Sequence, residues 1–143
     1  MGVKVSLVRS EDGTFTIDLG SRALPQITFK PQDLAPEVRQ EEHMGARLLL
    51  AAALTCYVNT MAGDLARLGA GRVAEIRSRA EIHKEKESNL RTRYTRMEIN
   101  VEAQVDENDR AVFESVRNSL LNGSLVTHSL EEEMDVDYNI EAV

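Results

Sequence analysis

Leu48-Leu-Leu-Ala-Ala-Ala-Leu-Thr-Cys-Tyr-Val-Asn-Thr60 is the stretch on which the reading of this chain turns. It holds no Gly or Pro, is rich in strong helix formers, and is apolar on every face, so it predicts the middle of a helix buried on most sides. The pattern runs from about Glu41 to Leu68 and stops at Gly69-Ala-Gly71, a glycine-rich C-cap signal. A small monomer has difficulty covering such a helix all round, and a dimer that wraps a second subunit around it does so more easily. The run Leu48–Val58, flanked by Arg47 and Asp64, is read as too short for a membrane span, and no membrane partner is expected.

The same run holds Cys56, the one cysteine of the chain. A thiol acts as a nucleophile only as thiolate, and apolar surroundings oppose the charged form. Cys56 is therefore either an inert part of the core or a nucleophile with partners supplied from elsewhere. Asn59 and Thr60, at i+3 and i+4, make its face the polar spot of the helix. Those two side chains either mark chemistry or hydrogen-bond to their own backbone and water.

Outward from the helix, the chain reads as α+β. Val3, Val5 and Leu7 alternate with polar residues, Ser10-Glu-Asp-Gly13 turns the chain, and Phe15, Ile17 and Leu19 resume the alternation. Ile27-Thr-Phe-Lys30 is a third strand, and the stretch from Pro31 to Glu42 is loop or short helix. After the long helix come two strands, with Ala74, Ile76, Ser78, Ala80 and Ile82 facing Met97, Ile99, Val101, Ala103 and Val105. Their outer faces carry Glu75, Arg77, Arg79 and Glu81 opposite Arg96, Glu98, Asn100 and Glu102, which predicts cross-strand ion pairing. Tyr94 breaks the parity, so a bulge is expected near Thr95. A second helix spans about Glu107 to Leu121 with Val112, Val116 and Leu120 on one stripe. Ser124 then caps a short helix, and Met134, Val136, Tyr138, Ile140 and Ala142 mark a closing strand. The order β-β-β-α-β-β-α-(short α)-β gives a mostly antiparallel α+β fold, residues 1–143 forming one domain of ordinary composition.

Function classes narrow accordingly. Net charge −7 disfavours nucleic acid as the main partner. The locally basic hairpin Arg77–Arg96 is interleaved with Glu81, Glu85 and Glu87 and reads as a solvated, salt-bridged face, leaving nucleic-acid contact as a third reading. One cysteine forms no internal disulfide, which fits a reducing cytoplasm, and the polar N-terminus does not resemble a secretory signal. His43, His83 and His128 are scattered without an i, i+4 pair, so no metal site is indicated, and without a Gly-rich phosphate loop no cofactor is expected. Ser124 and Arg9 are the remaining candidates. Ser124 is explained by capping alone. Arg9 continues the parity of Val3, Val5 and Leu7, so it points into a cleft or, if the strand end frays, into water.

Taken together, the N-terminal hairpin, the Leu/Ala-rich helix Leu48–Cys56, the two long strands and Ser124-Leu-Val-Thr-His-Ser-Leu130 before a last strand resemble the osmotically inducible protein C (OsmC) and organic hydroperoxide resistance (Ohr) family over nearly the whole chain. The resemblance implies antiparallel sheets around a long buried central helix, an intertwined homodimer with sites at the subunit interface, and thiol-dependent reduction of organic hydroperoxides in oxidative stress. Carried over by position, Cys56 matches the peroxidatic cysteine and Arg9 the family's hairpin arginine. Ser124 stands where the family has its resolving cysteine, and Ala46 where it has a glutamate, with Glu41 and Glu42 just upstream. The full two-cysteine cycle cannot run on this sequence. The implied activity is at most a weak single-cysteine thiol peroxidase fed by an external thiol. The alternative is a non-catalytic homodimer, structural or holding a small apolar ligand.

Overall fold

The computed structural model describes residues 2–143, and the chain divides into two compact units, the first up to Met44 and the second Gly45–Val143.

The first unit is built on an antiparallel three-stranded sheet, β1 (Ser6–Arg9), β2 (Phe15–Asp18) and β3 (Ile27–Phe29), in that order. The first turn falls where the sequence places it, with Gly13 at φ +89°, a conformation that side-chain-bearing residues rarely adopt. Phe15 stacks on Phe29 across the β2–β3 pair, ring centroids 5.1 Å apart. β1 itself is exposed at every position, and Val3, Val5 and Leu7 are exposed with it, so the apolar set expected to face inward is uncovered in the single chain. A short helix α1 (Pro36–Glu41) closes the unit.

The second unit opens with α2 (Met44–Arg67), a 24-residue helix. It begins later than the sequence pattern suggests because His43 takes φ +48°, and this left-handed residue separates it from α1. Glu41 ends α1 and Glu42 is its C-cap, so neither lies on the long helix. At the far end Gly69 takes φ +92°, and the N–H of Ala70 donates to the carbonyl of Leu65, the C-terminal closure expected of a glycine there. By length and composition alone the stretch Pro36–Arg67 is long and apolar enough to cross a membrane, a criterion that the core helix of a soluble protein meets equally. Within one chain only the line Ala53, Tyr57, Met61 and Leu65 is fully buried, and burial on the remaining sides is what a second subunit would have to supply. The opposite line, with Leu48, Ala52, Thr55, Asn59 and Ala62, stays exposed.

That buried line packs in one core with a second sheet, β4 (Val73–Lys86), β5 (Thr92–Val105) and β6 (Asp135–Ala142). Met97, Ile99, Val101, Ala103 and Val105 of β5 are all buried, as their alternation requires. Thr95 is the extra residue between the pairs His83–Arg96 and Lys84–Tyr94, which is the expected bulge. A second irregularity at Ala74 turns that side chain outward, so Val73, not Ala74, faces Val105. β4 and β5 pair antiparallel, whereas β5 and β6 run parallel. The parallel pair departs from a purely antiparallel reading because α3 (Arg110–Leu120) and α4 (Leu125–Leu130) form the crossover that a parallel return needs. On α3 the buried positions are Phe113, Val116 and Leu120, with Phe113 in the place the stripe assigned to Val112.

Candidate functional site

Cys56 lies one residue before Tyr57 on the buried line of α2, and its side chain is half-buried. It is thus neither sealed in the core nor on the fully exposed line. The hydroxyl of Thr60 donates to the Cys56 carbonyl at 2.9 Å, and that of Thr55 to the Ala51 carbonyl at 2.7 Å. These are back-bonds to the preceding turn, so the backbone takes up the Thr60 side chain that otherwise marks a polar spot. Asn59 is exposed.

Next to Cys56 in sequence, Tyr57 anchors a polar strut through the second unit. Its hydroxyl donates to the carbonyl of Leu120 at 2.7 Å, and its ring stacks on Tyr138 with centroids 5.3 Å apart. The Tyr138 hydroxyl in turn donates to Glu131 Oε1 at 2.7 Å. Burial raises both phenol pKa values above the ordinary range. For Tyr57 the neighbouring Tyr138 adds to the effect and Arg117 opposes it; for Tyr138, Glu131 adds to it and Thr127 opposes it. Sequence reasoning placed Tyr57 and Tyr138 only as strand and helix positions; their pairing depends on the β5–β6 crossover.

Ser124 sits where that strut meets α4, only 4% exposed. Its N–H donates to Thr127 Oγ1 at 2.8 Å, and the two hydroxyl oxygens are 3.2 Å apart. This is the capping arrangement expected for a serine ahead of a short helix. Among the described residues no hydrogen bond joins Ser124 to Cys56. Gly123, with φ +84°, delivers Ser124 to this position: a Cβ added there would lie 2.7 Å from the Tyr138 hydroxyl and 2.9 Å from both Glu131 Oε1 and Thr127 Oγ1. Gly123→Ala is therefore expected to cost about 1–3 kcal/mol from backbone strain and crowding, measurable as a lower urea midpoint.

Arg9 belongs to the first unit. It stands opposite Phe15 in the β1–β2 register, its guanidinium 6.0 Å from the centre of that ring. With its amide turned so that oxygen and nitrogen suit their neighbours, Gln32 bridges it to the turn, accepting from Arg9 Nη2 at 2.9 Å and donating to the Asp12 carbonyl at 3.0 Å. The side chain is exposed at the end of β1, held on an aromatic face. In the same turn, hydrogen bonds from Thr14 and the charge of Lys30 hold the Asp12 carboxyl below its ordinary pKa.

The outer face of β4–β5 holds a cluster that sequence spacing does not reveal. Ion pairing there runs mainly along the strands and the hairpin end, Arg77 with Glu75, Arg96 with Glu98, and Arg93 with Glu87, with Arg96 also reaching Asp137 of β6. The register places Glu81 directly opposite Glu98, like against like, where opposite charges were expected. His83 Nε2 faces both, 3.8 Å from Glu81 Oε1 and 4.0 Å from Glu98 Oε2. Two of these residues are i, i+2 neighbours and the third comes from the partner strand, a pattern that a search for helical i, i+4 pairs passes over.

Comparison with known proteins adds the fold. No family model matches the chain, and no curated protein matches it. Among solved structures it is similar to an OsmC-like protein from Mycoplasma pneumoniae, at 12% identity and a TM-score of 0.74, covering 100% of this chain and 98% of that one. This is the OsmC/Ohr fold. A hypothetical protein from Aquifex aeolicus shares it at 17% identity and a TM-score of 0.71, over 100% and 97% of the two chains. The organic hydroperoxide resistance protein OhrB of Bacillus subtilis shares it at 12% identity and a TM-score of 0.59, over 100% and 98%.

Proposed function

We propose that this chain is a soluble, cytoplasmic OsmC/Ohr-like homodimer related to thiol-dependent reduction of organic hydroperoxides, with Cys56 as its reactive thiol. The observation that carries the reading is the half-buried position of Cys56 on α2, beside a buried line and next to an exposed line of small and apolar side chains. A second subunit seated on that exposed line would complete the surroundings of the sulfur. The chemistry is simple to balance. The Cys56 thiolate attacks the outer peroxide oxygen, the O–O bond breaks, the alkoxide leaves as alcohol with a proton, and Cys56 becomes a sulfenic acid. An external thiol condenses with that acid, releasing water and forming a mixed disulfide. A second external thiol then releases Cys56 and leaves as a disulfide. Hydroxyl donor towards the sulfur for Ser124 and activating cation for Arg9 are the roles that the resemblance assigns by position, and neither side chain is a thiol that could resolve the acid.

The alternative is a non-catalytic homodimer, structural or holding a small apolar ligand. It is favoured by one observation: within a single chain, the Ser124 hydroxyl lies against Thr127 and the Arg9 guanidinium against Phe15 and Gln32. The two readings separate in one assay, consumption of an alkyl hydroperoxide by the purified protein with dithiothreitol. Weak turnover that depends on the added thiol is expected for the native chain, and Cys56→Ser should reduce it to the uncatalysed background. Turnover that survives Cys56→Ser sinks the peroxidase reading.

A further inference from the structure

We propose that Glu81, His83 and Glu98 form a binding site for a divalent transition ion of the zinc class on the outer face of the β4–β5 pair, separate from the Cys56 site. Glu81 and His83 project from the same face of β4, and Glu98 comes from the opposing position on β5. One ligand-type atom from each, His83 Nε2 and an oxygen of each carboxylate, lies within 4.8 Å of the other two. Bonds of about 2.0–2.2 Å from a central ion to nitrogen and oxygen span such separations after small side-chain rotations.

Two independent observations favour an ion there over a solvated cluster. The His83 side chain is 34% exposed, but its Nε2 atom is shielded from solvent and makes no hydrogen bond, with the two carboxylates facing it at 3.8 and 4.0 Å. An imidazole nitrogen in that state lacks what a buried polar atom normally has, and a metal supplies it. In addition, Glu81 and Glu98 stand opposite each other in the register, an arrangement that costs energy unless a cation lies between them. Arg96 does not fill that role: its Nη1 binds Glu98 Oε1 and approaches Asp137, leaving Glu98 Oε2 directed at His83. Arg96 therefore engages the Glu98 carboxylate through its other oxygen.

The donor set selects the ion. One imidazole and two carboxylates suit zinc and its neighbours, whereas magnesium and calcium prefer oxygen alone. Glu81 is 69% exposed in its side chain, so water completes the coordination and the ion exchanges freely with solvent. Bound there, it would tie β4 to β5 close to the Thr95 bulge, where the ladder is interrupted.

The test is calorimetric titration of the chelator-treated full-length protein with zinc chloride, and with magnesium chloride for comparison. Saturable zinc binding at about one ion per chain is expected, with no comparable magnesium signal. His83→Gln and Glu98→Gln should each weaken it about tenfold or more, while Cys56→Ser should leave it unchanged. Circular dichroism of the variants checks that the sheet is intact. Absence of saturable binding, binding indifferent to His83→Gln, or binding lost with Cys56→Ser overturns the proposal. None of these outcomes depends on peroxidase activity.

Discussion

Tyr57→Ala is expected to destabilise the protein by about 3–5 kcal/mol, the range for deleting a large buried aromatic side chain. Tyr57 is fully buried in the core formed by α2, β5, α3 and β6. The substitution removes the stack on Tyr138 and empties a volume that the surrounding strand and helices cannot fill by side-chain rotation alone. Tyr57→Phe separates packing from hydrogen bonding. The Leu120 carbonyl loses the Tyr57 hydroxyl but keeps the Gly123 N–H at 2.9 Å, so this change should cost only about 1 kcal/mol. Urea unfolding of the two variants checks both values. Equal destabilisation by Phe and Ala would show that the hydroxyl, not the ring, holds this part of the fold.

The same pair of tyrosines sets the second large effect, a loss of stability at alkaline pH. Burial, the foremost cause, raises both phenols above their ordinary pKa, so the folded state favours the neutral form. In the unfolded chain they ionise near pH ~10. The contribution is therefore fully present below about pH 10 and declines as pH rises toward the folded values, because the unfolded state releases protons that the folded state keeps. Each tyrosine contributes a slope of at most about 1.4 kcal/mol per pH unit. Urea midpoints measured from about pH 9 to pH 11 should fall, and Tyr57→Phe should make the fall shallower. A midpoint that stays level over this range, or a slope unaffected by Tyr57→Phe, would contradict the account.

Much of this architecture is legible in the sequence because its signals are local. Gly13, Gly69 and Gly123 sit where the chain must take positive φ, and the alternation from Met97 to Val105 names the buried face of β5 residue by residue. Tyr94 marks the Thr95 bulge by breaking parity. What the sequence hides is set by distant pairing. The alternation in β6 is the same whether it runs parallel or antiparallel to β5, and the α3–α4 crossover decides. The start of α2 depends on one left-handed histidine, a residue type that gives no such signal by composition. Apolar residues along α2 and β1 show a need for burial without naming what covers them, and one chain leaves a line of each exposed.

The candidate site divides in the same way. Cys56 stands out as the lone thiol of an apolar helix, and Ser124 as a cap is read correctly from its position before α4. The contacts of Arg9 with Phe15 and Gln32, and the meeting of Glu81, His83 and Glu98, come from cross-strand register and a loop return. No spacing rule along the chain encodes them.

The central claim is that Cys56 is a peroxide-reactive thiol. Its most direct test is to treat the reduced protein with an alkyl hydroperoxide in the presence of a sulfenic-acid-trapping diketone, and to follow the adduct by peptide mass spectrometry. The account predicts an adduct on Cys56 that forms faster than on free cysteine under the same conditions. Formation no faster than on free cysteine would contradict it and leave the fold as a binding or structural scaffold.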